Sequence, residues 1–165
     1  MSGRHDGIGQ QLDVAVGAIE NGKTKANYGD LAFFENSVFR FVEAAATLVA
    51  GELQEHTNTA RGSWTVNKMG TTAAAHHANA AGWAMAAATT TNKGFWVHVA
   101  GFTTSKSPSI ASATTFAAGK VGIPDTGTAG RVKTGTGDAD IMEVVVAYAA
   151  EASNLITFYK AIIPY

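Results

Sequence analysis

Apolar and polar residues alternate over several short stretches of this chain, and strict alternation is the pattern of half-buried β-strands. The clearest stretch is 93–102, where large apolar residues lie on both faces and Gly94 and Gly101 stand near the two ends. Residues 38–43 alternate in the same way, and residues 63–69 alternate polar with large apolar side chains before a glycine. We predict a β-strand in each of the three stretches.

The C-terminal part of the chain contains two further apolar runs, residues 141–150 and 155–163, both rich in β-formers. The four residues between them, 151–154, are the length of a hairpin loop. We therefore predict that the two runs pair as an antiparallel hairpin that closes the sheet. Pro164 follows the second run and prevents further pairing.

Residues 71–91 are ambiguous between helix and strand. The alanine-rich part up to Ala81 has good helix propensity, but Gly82 interrupts it. The alternation that follows favours a strand. We predict a loop or short helical turn up to Ala81, a strand from about 82 to 91, and a turn at 91–94 into the strand at 95–102.

Short strands separated by frequent turns predict an all-β fold, either a small β-barrel or a sandwich. The β pattern begins at residue 38, whereas the chain opens with a polar, glycine-rich stretch. We therefore divide the chain into an extended N-terminal arm, residues 1–37, and a β-rich domain, residues 38–165.

The arm has three apolar residues at the spacing of a short amphipathic helix, Leu12, Val16 and Ile19, although alternation over 14–18 also fits a strand. Its apolar surface is too small to offset an ordering cost of roughly 1–2 kcal/mol per residue. We therefore expect contacts outside the segment, with these three residues as interface anchors on a neighbouring subunit. The alternative is an arm that lies along its own domain.

The chain has few charges: 15% of its residues are charged and 46% are hydrophobic, whereas about 25% charged residues is ordinary. A surface of small uncharged residues is easily desolvated, which favours a homo-oligomer over the alternative of a plain soluble monomer. The net charge of −1 and the scattered basic residues predict no nucleic-acid partner.

The absence of cysteine excludes disulfides and thiolate metal sites. The first ten residues are polar, so we expect no secretory signal and synthesis in the cytoplasm. No apolar run approaches the roughly 20 residues that span a bilayer, so we expect no membrane partner.

Two pairs of titratable residues are the first candidates for chemistry. His76 and His77 are adjacent, so their side chains point in different directions and do not chelate one metal ion easily. Glu52 and Glu55 stand three apart, the spacing of an acid–base pair on a helix. In a β-rich chain we interpret them instead as the solvated rim of the turn after Gly51.

Loop motifs give no better candidate. Residues 135–140 resemble a calcium loop but lack the later bidentate glutamate, and residues 114–121 lack the serine or threonine of a phosphate-binding loop. The serines lack the context of a hydrolase nucleophile. We interpret Trp64, Trp83 and Trp96 as core or interface anchors. We predict no catalytic residue, no cofactor and no metal site, and hence no enzyme.

Three features of the chain resemble virion structural proteins of tailed phages, in particular the decoration, or cement, proteins of the head. The features are the strand and turn at 39–54, the paired glycine–aromatic–valine stretches at 82–85 and 94–101, and the segments 118–120 and 130–132 followed by the closing hairpin that starts at 144. The resemblance covers about residues 28 to 163.

The resemblance implies a homo-oligomer, with a trimer favoured and a dimer as the alternative, that binds the major capsid protein over junctions between its subunits. It places the protein on the outer surface of the virion after synthesis in the host cytoplasm, and the arm anchors would then contact a neighbour or the capsid. Two other functions stay open. A tail or fibre component would show longer repeats, and a small ligand-binding β-barrel would need convergent polar groups inside an apolar pocket.

Overall fold

The computed structural model describes most of the chain from residue 26 onwards, together with Leu12. The described residues are 12, 26–57, 63–71, 79–91, 93–102, 104–105, 107–135, 145–147, 155–156 and 158–162. Every secondary-structure element that these residues form is a β-strand, so the predicted all-β fold is confirmed. No helix among the described residues has the length and apolar character needed to cross a membrane.

The strands are short, as the closely spaced turn residues predicted. In chain order they are β1 (Leu31–Phe34), β2 (Ser37–Ala44), β3 (Leu53–His56), β4 (Thr65–Lys68), β5 (Ala80–Ala84), β6 (Gly94–Phe102), β7 (Ile110–Ala111), β8 (Val121–Pro124), β9 (Val132–Thr134), β10 (Val145–Ala147), β11 (Leu155–Ile156) and β12 (Phe158–Ile162). The two longest, β2 and β6, lie in stretches that the sequence pattern identified.

Five of these strands close into a barrel in the order β2-β4-β3-β5-β6, because β6 also pairs with β2. Strands β2 and β4 run parallel, and the other four contacts around the ring are antiparallel. The longest contact joins β2 to β6 over seven residue pairs, from Ser37 opposite Gly101 to Glu43 opposite Gly94. Of the two alternatives that the sequence left open, the structure is therefore the barrel.

Apolar side chains fill the inside of the barrel. Residues that are paired across neighbouring strands share a face of the sheet, so the registers define one inner ring. Its apolar members, all at most 3% exposed, are Val42, Ala44, Val66, Ala84, Phe95 and Val97. Small barrels have just enough interior for side chains to fill, and this ring follows that rule.

The outer face of the barrel is also covered, which explains why β6 is apolar on both faces. Phe39, Phe41 and Trp96 form a second buried cluster with Leu12 and Met85. Three buried residues of the segments that follow β6 belong to the same cluster as the barrel core: Ile110, Phe116 and Val132.

The sheet continues beyond β6 through β12, β10, β8 and β9. Strands β10 and β12 pair antiparallel, with Val145 opposite Ala161, so the predicted pairing of the two C-terminal runs is confirmed. The second run is not one strand, however. Its first part, β11, leaves the main sheet and pairs with β7.

The strand predicted over 82–91 is wrong in its bounds. Strand β5 ends at Ala84, and the chain then turns while Leu48 and Ala88 exchange two backbone hydrogen bonds of 2.8 and 3.1 Å. These bonds hold Ala88 against the turn after β2. The last contact of this segment with β6 is at Met85, whose N–H donates to the carbonyl oxygen of Trp96 at 3.0 Å. Alternation of residue types could not reveal the distant Leu48–Ala88 contact.

Residues 31–37, which the sequence analysis assigned to the arm, lie in the sheet. Strand β1 pairs with the start of β2, with Phe33 opposite Val38. Glu35 and Asn36 form the connection with φ values of 46° and 62°, as in a two-residue type I′ hairpin turn. The division into an arm and a domain stays a prediction, but the sheet begins before residue 37.

Candidate functional site

Exposed apolar side chains gather around the β1–β2 hairpin. Leu31 is 44% exposed and Phe33 is 61% exposed, whereas Ala32 between them is buried. Phe102, at the end of β6, is 41% exposed. We call Leu31, Phe33 and Phe102 the apolar patch. Because large exposed apolar groups that cluster mark interaction sites more often than single ones do, this patch is the first candidate for function.

The hairpin and the end of β6 are held together by close contacts. The Ser37 hydroxyl donates a 2.5 Å hydrogen bond to the carbonyl oxygen of Phe102. Gly101 has a φ of 101°, and a Cβ at this position would lie 2.5 Å from the carbonyl oxygen of Asn36. The absence of a side chain on Gly101 therefore lets the two backbones touch. These contacts bring Phe102 next to the hairpin.

The tip of the hairpin is fixed from the other side by the loop that follows β6. The Glu35 carboxylate accepts hydrogen bonds from the backbone N–H of Ser105 at 2.6 Å and from its hydroxyl at 2.7 Å. Both bonds favour the ionised form and hold the pKa of Glu35 below its ordinary value. An open groove of about 460 Å³ runs along residues 33–38 beside this tip.

A second candidate lies inside one end of the barrel, where Arg40, His56 and Trp64 meet. The Arg40 guanidinium lies 4.8 Å from the centre of the Trp64 ring, and the His56 ring lies edge-on to that indole at 6.0 Å. Burial, and then the positive charge of Arg40, lower the pKa of His56, so the imidazole is neutral at pH 7. Trp64 in turn packs on Gly29, where a Cβ would lie 2.4 Å from the ring.

This Arg40–His56–Trp64 cluster closes the barrel end with a cation–π contact. The three residues lie in β2, in β3 and just before β4, and the sequence pattern gave no signal that would group them. Among the described residues, no three His, Asp or Glu side chains gather where they could hold a metal ion. We therefore interpret the cluster as packing of the barrel end.

The two glutamates that the sequence analysis placed on a solvated rim have structural partners instead. Glu52 forms an ion pair with Lys68 at 2.6 Å and accepts the N–H of Val49 at 3.0 Å. Glu55 accepts the N–H of Gly70 at 3.1 Å. Both carboxylates are partly buried because they complete hydrogen bonds of neighbouring turns, so the solvated-rim interpretation was wrong.

The remaining candidates of the sequence analysis divide into described and undescribed residues. Trp83 and Trp96 are buried in the core, as predicted. His76, His77 and residues 136–140 lie outside the described residues, as do Val16 and Ile19. Leu12 is fully buried in the cluster with Phe39 and Phe41 of its own chain, which favours the alternative of an arm lying along its own domain.

Comparisons with known proteins give no match for this chain. No protein-family model, no curated protein and no solved structure matches it.

Proposed function

We propose that this protein is a non-catalytic structural protein that binds other protein surfaces, and specifically that it decorates the outside of a tailed-phage head. Its partner would be the major capsid protein, and its place the exterior of the virion. The resemblance of segments 39–54, 82–85 and 94–101 to decoration proteins supports the finer assignment. The apolar patch supports the coarser one.

The single observation that carries the proposal is the exposure of Leu31, Phe33 and Phe102 at the β1–β2 hairpin. Full burial of a phenylalanine side chain stabilises a complex by roughly 1.5–3 kcal/mol, and Phe33 leaves 61% of its surface open to such burial. The Glu35–Ser105 and Ser37–Phe102 hydrogen bonds hold the patch in place before binding. A preordered patch loses little conformational entropy when a partner covers it.

The alternative of a ligand-binding barrel receives less support. Such a barrel needs an apolar cavity with a few convergent polar groups. Here the apolar side chains of the inner ring are buried, and the polar Arg40 and His56 on the same face contact the Trp64 ring at one end. The low fraction of charged residues, 15%, also suits a protein that buries much of its surface against neighbours.

Binding of the purified chain to purified undecorated heads, separated by sedimentation, tests the proposal. We expect the chain to cosediment with heads at a saturable ratio and not with isolated tails. Phe33→Ser and Phe102→Ser should each weaken binding roughly tenfold, since about 1.4 kcal/mol of apolar burial is lost. Val49→Ser is the matched control, because Val49 is 55% exposed but lies outside the patch.

Absence of any binding to heads would contradict the decoration proposal. Saturable binding to tails alone would favour the tail or fibre alternative. Head binding that Phe33→Ser, Phe102→Ser and Val49→Ser leave equally unchanged would contradict the role of the patch. Circular dichroism and thermal melting of each variant confirm that a weakened variant is still folded.

A further inference from the structure

We propose that two copies of this chain pair antiparallel through the open edge of strand β1, about a two-fold axis at Ala32. The inference rests on the proposed function and deepens it, because it names an interface for the homo-oligomer that the resemblance to decoration proteins implies. It rests on the backbone geometry of β1, the exposed side chains of that strand and the charges around it.

The backbone groups of β1 point alternately towards β2 and away from it. In the β1–β2 hairpin, alternate residues of β1 form hydrogen bonds with β2. The Asp30 carbonyl accepts the N–H of Phe41 at 2.9 Å, so Asp30, Ala32 and Phe34 are the residues that bond to β2. The N–H and C=O groups of Leu31 and Phe33 therefore point away from β2. Among the described strands, β1 is at the end of the sheet.

The outer edge of β1 is complementary to itself. About a two-fold axis at Ala32, Leu31 of one copy lies opposite Phe33 of the other, and the reverse pair is equivalent. Each pair exchanges two backbone hydrogen bonds, so four new bonds form. The same pairs bring exposed apolar side chains together across the new strand contact, where such pairs are favourable.

Strand β1 lacks the features that keep sheet edges apart. Its sequence, Leu-Ala-Phe-Phe, contains no lysine, no proline and no charged residue, and its register with β2 has no bulge. Asp30 would face Phe34 of the other copy, so no two carboxylates are opposed. The Glu35 carboxylate already accepts both hydrogen bonds from Ser105.

A second copy is therefore the occupant that this edge favours. Pairing joins two apolar patches into one larger surface, with Phe102 of each copy near its ends. That surface is what the proposed capsid contact would use. A short uncharged edge with apolar side chains selects an uncharged antiparallel strand, and β1 itself supplies one.

Sedimentation velocity of the full chain over a wide concentration range tests the pairing. We expect a concentration-dependent dimer. Leu31→Lys should raise its dissociation constant about tenfold or more, because a lysine on the edge disfavours strand addition. The control is Val49→Lys, because Val49 is also an exposed apolar residue but lies outside β1. This variant should leave the dissociation constant unchanged.

Disulfide trapping tests the register, since the natural chain has no cysteine. Directly opposed residues of a hydrogen-bonded pair have Cα atoms about 5.5 Å apart, within the range of a disulfide. A mixture of the Leu31→Cys and Phe33→Cys variants should therefore cross-link under mild oxidation. Either variant alone should not cross-link, because the Cα atoms of its two cysteines would lie farther apart than the roughly 7 Å that a disulfide can span.

Three results would overturn the pairing: a chain that is monomeric at every concentration, an oligomer that Leu31→Lys leaves intact, or cross-linking of Phe33→Cys alone to the same extent as the mixture. The proposed function fails independently. Head binding by a monomeric chain would refute only this interface, whereas a trapped dimer without affinity for heads would refute only the decoration proposal.

Discussion

The most perturbed titratable side chain that the structure describes is His98, on β6. It packs against the Phe39 ring with centroids 4.8 Å apart, and its Nε2 donates to the carbonyl oxygen of Ala100 at 3.0 Å. The carbonyl can only accept, so this contact requires a proton on Nε2. Burial lowers the pKa of His98 to about 4, against the smaller opposing effect of the Ala100 hydrogen bond.

This shift predicts a loss of stability in acid. The unfolded chain binds a proton on this histidine below its ordinary pKa of 6.5, whereas the folded chain does so only near 4. The free energy of unfolding should therefore fall as the pH drops from 6.5 to 4, by roughly 3 kcal/mol from this group. Urea unfolding at several pH values measures it.

In the variant His98→Gln, the free energy of unfolding should decrease less between pH 6.5 and pH 4, whatever the stability of the variant at pH 7. His56→Gln is the matched control, because the pKa of His56 is also lowered but its side chain is less deeply buried. Equal pH slopes for the natural chain and for His98→Gln would contradict the assignment.

Two glycines with positive φ, Gly101 and Gly119, allow the cost of backbone strain to be measured apart from the cost of a steric clash. A Cβ at Gly101 would lie 2.5 Å from the Asn36 carbonyl oxygen, whereas a Cβ at Gly119, whose φ is 77°, would meet nothing within 4 Å. Gly119→Ala should cost about 1 kcal/mol from conformation alone. Gly101→Ala should cost about 1–3 kcal/mol more, since the hairpin must move to make room for the methyl group. Thermal or urea unfolding of both variants measures the difference, and equal losses would contradict the close approach.

At the scale of single elements, the carboxylate of Glu35 fixes the tip of the β1–β2 hairpin. Glu35→Gln removes the charge that accepts both Ser105 hydrogen bonds. We expect the Ser105 amide to exchange its hydrogen faster in this variant, with little change in melting temperature because Glu35 is exposed at the surface. Glu52→Gln is the control, since its carboxylate accepts the Val49 amide instead. Unchanged exchange at Ser105 would contradict the role of Glu35.

The pattern of apolar residues identified the two longest strands, β2 and β6, whose side chains are largely buried. Strand β6 is nine residues long and largely buried, so its pattern is strong, and β2 is similar. The pattern failed where a distant backbone partner decides the conformation. The Leu48–Ala88 hydrogen bonds end β5 early, and β11 leaves its run to join β7. The hairpin turn at Glu35 and Asn36 was missed because neither residue is glycine.

For the whole molecule, the all-β class followed from composition and turn spacing, but barrel closure did not. Closure depends on the parallel pairing of β2 with β4 and on β6 returning to β2, contacts between segments that are far apart in the chain. The candidate site was missed for the same reason: exposed Phe33 lay in a segment assigned to the arm, and Phe102 approaches it only through the fold.

The arm provides a test of how the whole molecule holds together. Leu12 is fully buried against Phe39, Phe41 and Trp96 of its own chain. Leu12→Ala should therefore destabilise the isolated chain by about 2–5 kcal/mol, the usual range for a buried leucine, as measured by urea unfolding. Val49→Ala is the exposed control and should change stability by less than about 0.5 kcal/mol. If Leu12 were instead an anchor on a neighbouring subunit, Leu12→Ala would leave the monomer as stable as the control and weaken only assembly.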